Sequence, residues 1–305
     1  MNDSLPPLAW DVGSAQDFES VEALGEGDSF ECYLLDGRRV VRLAMHAAAS
    51  ASLRREMILL PHLQRQIDVQ IPNIDGSGVG VISGERFVCY PLVPGIPLTP
   101  EVLAGVNMGC RLDLIQQIAW VAAQLHSFPI ELASSCGVRE LTPREYLPGL
   151  LREAESAISH HLDPNVWKYH QRLVELYLDT PELQAYRPAF LHGDFSPDHL
   201  LVDATACTLT GVIDFSDCCI GDPHWDLIYI LQHYGSAVLD ELLTTYHPGD
   251  KHRTEQRIRI YQELNNVQYC LSMHADGDDE AFAEAVQVLT EQASGQRAIV
   301  SPSED

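Results

Sequence analysis

A chain of 305 residues, 46% of them apolar, can bury a sizeable core, either as one large domain or as two lobes with a cleft. Its formal net charge of −25, from 19 basic against 44 acidic residues, makes nucleic acid and anionic membrane surfaces poor partners and a polycationic ligand a welcome one, although many soluble proteins are equally acidic. No apolar run approaches the ~20 residues that span a bilayer, Met1 to Trp10 lacks the basic and apolar regions of a signal peptide, and the eight cysteines include no CxxC pair, so the expectation is a cytoplasmic protein with reduced thiols and no zinc site.

In chain order, residues 1 to 17 are polar and contribute little, and organisation begins at Val21. Val21 to Leu35 reads as strand, glycine turn and strand, closed by the Asp36-Gly37 hairpin turn into Val40-Val41-Arg42. Gly25 and Gly27 suit either an ordinary β-turn or a backbone loop folded over phosphates. Ser50 to Gln64 is a helix that Pro61 bends or ends, and its Glu56 is either a partner for Arg42 or part of a solvated Arg-Arg-Glu patch. Val79 to Ile82 and Arg86 to Tyr90 form a second hairpin. The proline-rich run Tyr90 to Pro97 then has the composition of a stiff connector, which divides the chain into an N-terminal lobe over 1–90, a hinge over 91–97 and a larger lobe over 98–305.

Apolar residues at helical spacing mark a core helix from Arg111 to Ser127, with Trp120 and His126 as packing residues. Further helices are predicted over Pro143 to Ser159, Val166 to Leu178, Pro223 to His233, Ala237 to Tyr246, Arg253 to Met273 and Asp279 to Glu291. Between them lies the stretch that carries chemistry, Leu191 to Asp226, with two short apolar runs expected to pair across a turn of about five residues. Asp194 precedes the first run and Asp214 closes the second. Two carboxylates brought together at strand ends repel unless a cation sits between them, and Mg²⁺ bound to phosphate oxygens is the usual solution. Asp194 alone is also good turn chemistry, and His199 is either a hydrogen-bonded framework residue or a metal or phosphate contact.

The order His192-Gly193-Asp194, then Ile213-Asp214-Phe215, then Gly221-Asp222-Pro223 followed by Asp226 resembles the aminoglycoside phosphotransferase family, closest in motif to the aminoglycoside 2''-phosphotransferases. The resemblance implies an α+β, two-lobe protein-kinase-like fold, with a small N-terminal sheet plus one helix and a large, mainly helical C-terminal lobe. It implies transfer of the γ-phosphoryl group of ATP or GTP, with Mg²⁺, to a hydroxyl of a small molecule, most simply an aminoglycoside. Asp194 would then be the catalytic acid-base residue, Asp214 and His199 would face the metal, and His192 and Asp226 would brace the loop. Arg42, standing where protein kinases carry lysine, would hold phosphates with Glu56, beneath Gly25 and Gly27. The base would bond to backbone near Tyr90 and Leu92. Asp240, Glu241, Glu263 and the run Asp276 to Glu280 are carboxylates available to a cationic acceptor, each of which also reads as a solvated helix residue. A macrolide kinase, a choline- or sugar-type kinase, and a non-catalytic nucleotide-binding relic are the alternatives; nothing in the sequence sets the oligomeric state.

Overall fold

The computed structural model describes residues 18–26, 29–80, 83–246 and 249–295. They fall into two compact units, one of residues up to 139 together with 192–219, the other of 140–191 together with the residues from 220 onward.

The first unit is built on a five-stranded antiparallel sheet. Strands β1 (Val21–Glu26), β2 (Phe30–Leu35), β3 (Arg39–Ala44), β4 (Gly76–Val79) and β5 (Arg86–Pro91) lie in the order β1-β2-β3-β5-β4. The β2–β3 turn uses positive φ at both Asp36 (50°) and Gly37 (65°), the backbone that suits a tight hairpin to strand twist. The hairpin expected from Val79 begins earlier, because β4 pairs Gly76 to Val79 against β5; Val81 and Ile82 lie outside the described residues.

Alternation along β3 sorts its side chains between two cores. Val41 and Leu43 pack with Tyr33 and Leu35 on one face. Val40 and Ala44 pack with Phe30, Val88 and Tyr90 on the other, against Ala49 and Leu53 of helix α1 (Ala47–Leu63). Arg42 shares the phase of Val40 and Ala44, so its guanidinium is directed to the helix side. Pro61 sits two residues before the end of α1, which stops soon after it, as expected.

The same unit holds a smaller sheet of β6 (Ile96–Pro97), β7 (Leu200–Asp203) and β8 (Thr208–Val212), in the order β8-β7-β6. Asp203 closes the β7–β8 turn by accepting from the N–H groups of Thr205 and Ala206. Helix α2 (Met108–His126) lies against β8. Here two expectations fail. Cys110 of α2 and Cys207 of the turn form a disulfide across 97 residues of sequence, although irregular spacing had argued for reduced thiols. Trp120 is 58% exposed rather than packed, its indole N–H donating to Asp68 at 3.1 Å.

The second unit is mainly helical: α3 (Pro143–Ala157), α4 (Pro164–Asp179), α5 (Ile228–Tyr234), α6 (Ser236–Tyr246), α7 (Lys251–Asp276) and α8 (Asp279–Ala293). The helix expected from Pro223 to His233 is broken. The Asp222 carboxylate takes the His224 N–H at 3.0 Å and its carbonyl takes the Trp225 N–H at 2.9 Å, tightening Pro223–Trp225 into a 3₁₀ turn before α5 starts at Ile228. Among the described residues no helix is long and apolar enough to cross a membrane.

Candidate active site

The segment from His192 to Ser216 is held by its own backbone and rings. Gly193 has φ 89°, and a Cβ there would collide with the Asp217 carbonyl, so the turn after His192 requires glycine. His192 is fully buried; its Nε2–H donates to the Ile213 carbonyl at 3.0 Å, and its ring lies 4.7 Å from that of Phe215 and 5.8 Å from that of Phe195. The His199 carbonyl accepts from Ile213 N–H at 3.0 Å. These bonds bring Asp194 and Asp214, twenty residues apart in sequence, to either side of His199.

His199 Nδ1 is 2.9 Å from the Asp194 carbonyl oxygen. A carbonyl can only accept, so Nδ1 carries the proton. In the neutral ring the lone pair is then on Nε2, which faces Asp214 Oδ2 at 3.9 Å. The Asp194 carboxylate lies 3.5 Å from Nδ1. Burial pushes the Asp194 carboxyl above its ordinary range, and the His199 contact and a hydrogen bond from Ser196 only partly offset it.

On the other side of Asp214 runs a chain of charge. Arg42, 3% exposed, donates through NH1 to both Glu56 oxygens, at 3.0 and 3.3 Å, and through NH2 to Asp214 Oδ1 at 2.8 Å. Its Cζ stands 4.3 Å from the centre of the Phe30 ring. Burial opposes the charge on Arg42, but the two flanking carboxylates more than offset it and hold it firmly cationic. Burial also pushes the Asp214 carboxyl up, yet Arg42 and His199 together bring it down to about 2. Asp214 has φ 63°, a left-handed backbone that Asp tolerates better than most residues but that still needs support. The Ser216 N–H supplies some, donating to Asp214 Oδ1 at 3.2 Å.

This donor set suits Mg²⁺. Asp214 remains ionised, its Oδ2 has only His199 Nε2 beside it, at 3.9 Å, and its side chain is 29% exposed. Among the described residues no group of three or more His, Cys, Asp or Glu side chains is arranged to hold a metal alone. Mg²⁺ commonly binds through one or two carboxylates and takes its other ligands from water and phosphate.

The other sequence-derived candidates are placed as follows. Gly25 lies within β1, just after a register shift between Ala23 and Gly25 and opposite Cys32, with open space where a Cβ would stand; Gly27 lies outside the described residues. Tyr90 is buried in the core beside α1, and the Leu92 N–H is already taken by the Arg38 carbonyl at 2.8 Å. In the second unit Asp226 is fully buried. Asp240 is exposed and ion-paired with Lys251 at 3.2 Å, and Glu241 is its half-buried neighbour on α6. Glu263 is buried at 3% exposure, accepts from the Tyr169 hydroxyl at 2.8 Å, and lines a cavity of about 560 Å³ with Arg259, Asn266 and Glu284. Burial raises its carboxyl to about 7.

Sequence reasoning missed two groups. Ser52 and Arg55 of α1 both donate to the Ser216 carbonyl; the helical phase that buries Ala49, Leu53 and Glu56 was the available signal. Asp222 was read as part of a motif, without its partners. Arg257 of α7 reaches it at 3.3 Å, Tyr261 donates to it at 2.9 Å, and His224 Nδ1 lies 2.8 Å away. No local pattern connects Asp222 to Arg257 and Tyr261, which lie far from it in sequence.

A small antiparallel sheet with one packed helix, a motif loop bearing paired carboxylates, and a mainly helical remainder define a kinase-like α+β fold. The sequence pattern of the phosphotransferase enzyme family matches residues 20–261, and the chain belongs to that family. The GDP and kanamycin complex of APH(2'')-IIIa superposes with a TM-score of 0.88 at 28% identity, covering 92% of this chain and 95% of that one. Viomycin phosphotransferase of Streptomyces vinaceus is 26% identical over 68% of this chain and 87% of its own. An aminoglycoside 3'-phosphotransferase of Streptomyces fradiae is 25% identical over 51% of this chain. The first curated relatives are matched over only about three-fifths of their length, 59% in the Streptomyces fradiae case.

Proposed function

We propose that this protein transfers the γ-phosphoryl group of ATP or GTP to a hydroxyl of a small, cationic acceptor of the aminoglycoside type. The observation that carries the reading is the unbroken line Glu56–Arg42–Asp214–His199–Asp194, which sets a fixed cation and an ionised hard ligand beside a second, partly buried carboxylate. Arg42 binds α- and β-phosphate oxygens and is oriented by Glu56. Asp214, with His199 beside it, would hold Mg²⁺, which neutralises phosphate charge when bound. Asp194 accepts the acceptor's hydroxyl proton as that oxygen forms its bond to the γ-phosphorus and the bond to the β–γ bridging oxygen breaks, releasing the nucleoside diphosphate. Residues 91–97 serve as the hinge, the backbone near Tyr90 and Leu92 receives the base, and His192 and Asp226 act as braces. Asp240, Glu241 and Glu263 are assigned to the acceptor's ammonium groups, a reading that the −25 net charge supports; kanamycin in the APH(2'')-IIIa complex supports the acceptor class alone.

Incubation of the full chain with Mg²⁺, ATP or GTP, and separate aminoglycoside, macrolide and amino-alcohol acceptors, read by mass spectrometry, tests this. Phosphorylated aminoglycoside with a KM that rises with KCl is the expected result, since exposed ion pairs are screened within ~10 Å at 0.1 M salt. Phosphorylation of the macrolide alone would overturn the acceptor class, and transfer to none of the acceptors would overturn the reaction.

A further inference from the structure

Asp214 is held from helix α1 by a second route that the kinase-like motifs do not contain. Ser216 donates its N–H to Asp214 Oδ1 at 3.2 Å, and its carbonyl accepts from Ser52 Oγ at 3.0 Å and from an Arg55 guanidinium nitrogen. The same Arg55 nitrogen also donates to Ser52 Oγ at 3.0 Å, which closes a three-membered hydrogen-bond cluster on one peptide oxygen. Ser52, 7% exposed, lies one helical turn before Glu56. One face of α1 therefore grips the loop twice: through Glu56 and Arg42 to the Asp214 carboxylate, and through Ser52 and Arg55 to the peptide two residues later.

We propose that Arg55 is a positioning residue, which fixes the 214–216 turn so that Asp214 keeps its left-handed backbone and presents Oδ2 on the His199 side; this rests on the phosphotransferase reading above. Three features point the same way. A left-handed aspartate with no glycine freedom persists only where its surroundings over-determine it. A guanidinium bond to a carbonyl is charge-assisted and stronger than the serine bond beside it. Arg55 also leaves its Nε buried without a hydrogen-bond partner, a cost that argues against a role in stability alone. The adjacent Arg54, exposed on the same helix, makes no such contact and is the internal contrast.

The test is the thermal stabilisation of the full chain by GDP and by ADP, titrated with Mg²⁺, in the wild type, Arg55→Met, Arg55→Lys and Ser52→Ala. Arg55→Met keeps the apolar stem and removes every donor. It should raise the Mg²⁺ concentration for half-maximal nucleotide stabilisation about tenfold, the loss of one charge-assisted bond, and leave metal-free nucleotide stabilisation unchanged. Arg55→Lys should recover most of the difference, and Ser52→Ala should show a smaller rise in the same direction. An unchanged Mg²⁺ midpoint in Arg55→Met, or equal impairment in Met and Lys, would mean that Arg55 only packs. If Arg55→Met does not fold, the Lys and Ala variants decide: wild-type midpoints in both overturn the positioning role. No Mg²⁺-dependent stabilisation in the wild type itself would remove the nucleotide reading, and this inference with it.

Discussion

Two aspartate–arginine pairs in this protein show opposite designs. In the second unit, Asp222 is fully buried and both its oxygens are spent: Oδ1 on the His224 N–H and near its Nδ1, Oδ2 on the Tyr261 hydroxyl and Arg257. Arg257 in turn caps the Leu183, Glu182 and Ala185 carbonyls. Burial works against ionisation of Asp222, but His224 and Arg257 hold its carboxyl below the usual range. In the first unit, Asp214 is also ionised by an arginine, yet it remains 29% exposed and spends only Oδ1. The closed pair is a brace, whereas the open one has a coordination site left over. A low carboxylate pKa alone does not separate the two; the unspent oxygen does.

The contrast is sharpest if the two aspartates are removed. Asp222→Ala should destabilise the protein by about 3–5 kcal/mol, because Arg257 would be left buried without its counter-charge; a loss below about 1 kcal/mol in a denaturant titration would show that the network is dispensable. Glu263 occupies an intermediate case, a buried acid with the Tyr169 hydroxyl and the Arg259 charge as its partners. Its carboxyl is raised to about 7, so the fold favours the protonated form, and that contribution, full below the unfolded value, is lost as pH rises through about 7. Glu263→Gln should flatten the fall in stability between pH 5 and pH 8, gaining on the order of 2 kcal/mol at the upper end. A variant that tracks the wild type at every pH would place that titration elsewhere. The smallest change in stability is expected for Asp214→Asn, within about 1 kcal/mol, since Glu56 still pairs Arg42 and asparagine accepts the left-handed backbone. The same variant should lose most of the Mg²⁺-dependent stabilisation by nucleotide; retention would return Asp214 to the structural class.

Most of the first unit was legible in sequence because its chemistry is local. The strand–turn–strand pattern and the Asp36-Gly37 turn located β1 to β3, and the resemblance offered Glu56 as the partner of Arg42, the one of its two readings that the 3.0 Å contact bears out. Asp194 and Asp214 were legible as a pair because short strands fix their spacing. The Cys110–Cys207 disulfide and the Arg257 network were not, since each joins segments whose contact depends on tertiary packing and leaves no periodic trace. Trp120 was misread for a related reason: an apolar side chain at the margin of a helical stripe is placed by its neighbours, here an Asp68 carboxylate that draws the indole to the surface. Arg55 entered only as part of a solvated Arg-Arg-Glu patch, one of two readings of that triplet, which its residue type favours and its helix position does not.

Asp194, placed beside His199 with its carboxyl raised by burial, is the residue on which phosphoryl transfer depends in this proposal. The direct measurement compares aminoglycoside phosphorylation and nucleotide binding in the wild type and Asp194→Asn, at saturating Mg²⁺ and nucleotide. Turnover should fall by about 10²-fold or more while the nucleotide-induced thermal shift is preserved, because Asp194 acts on the acceptor hydroxyl and not on the phosphate donor. Near-wild-type turnover in Asp194→Asn would contradict the proposal.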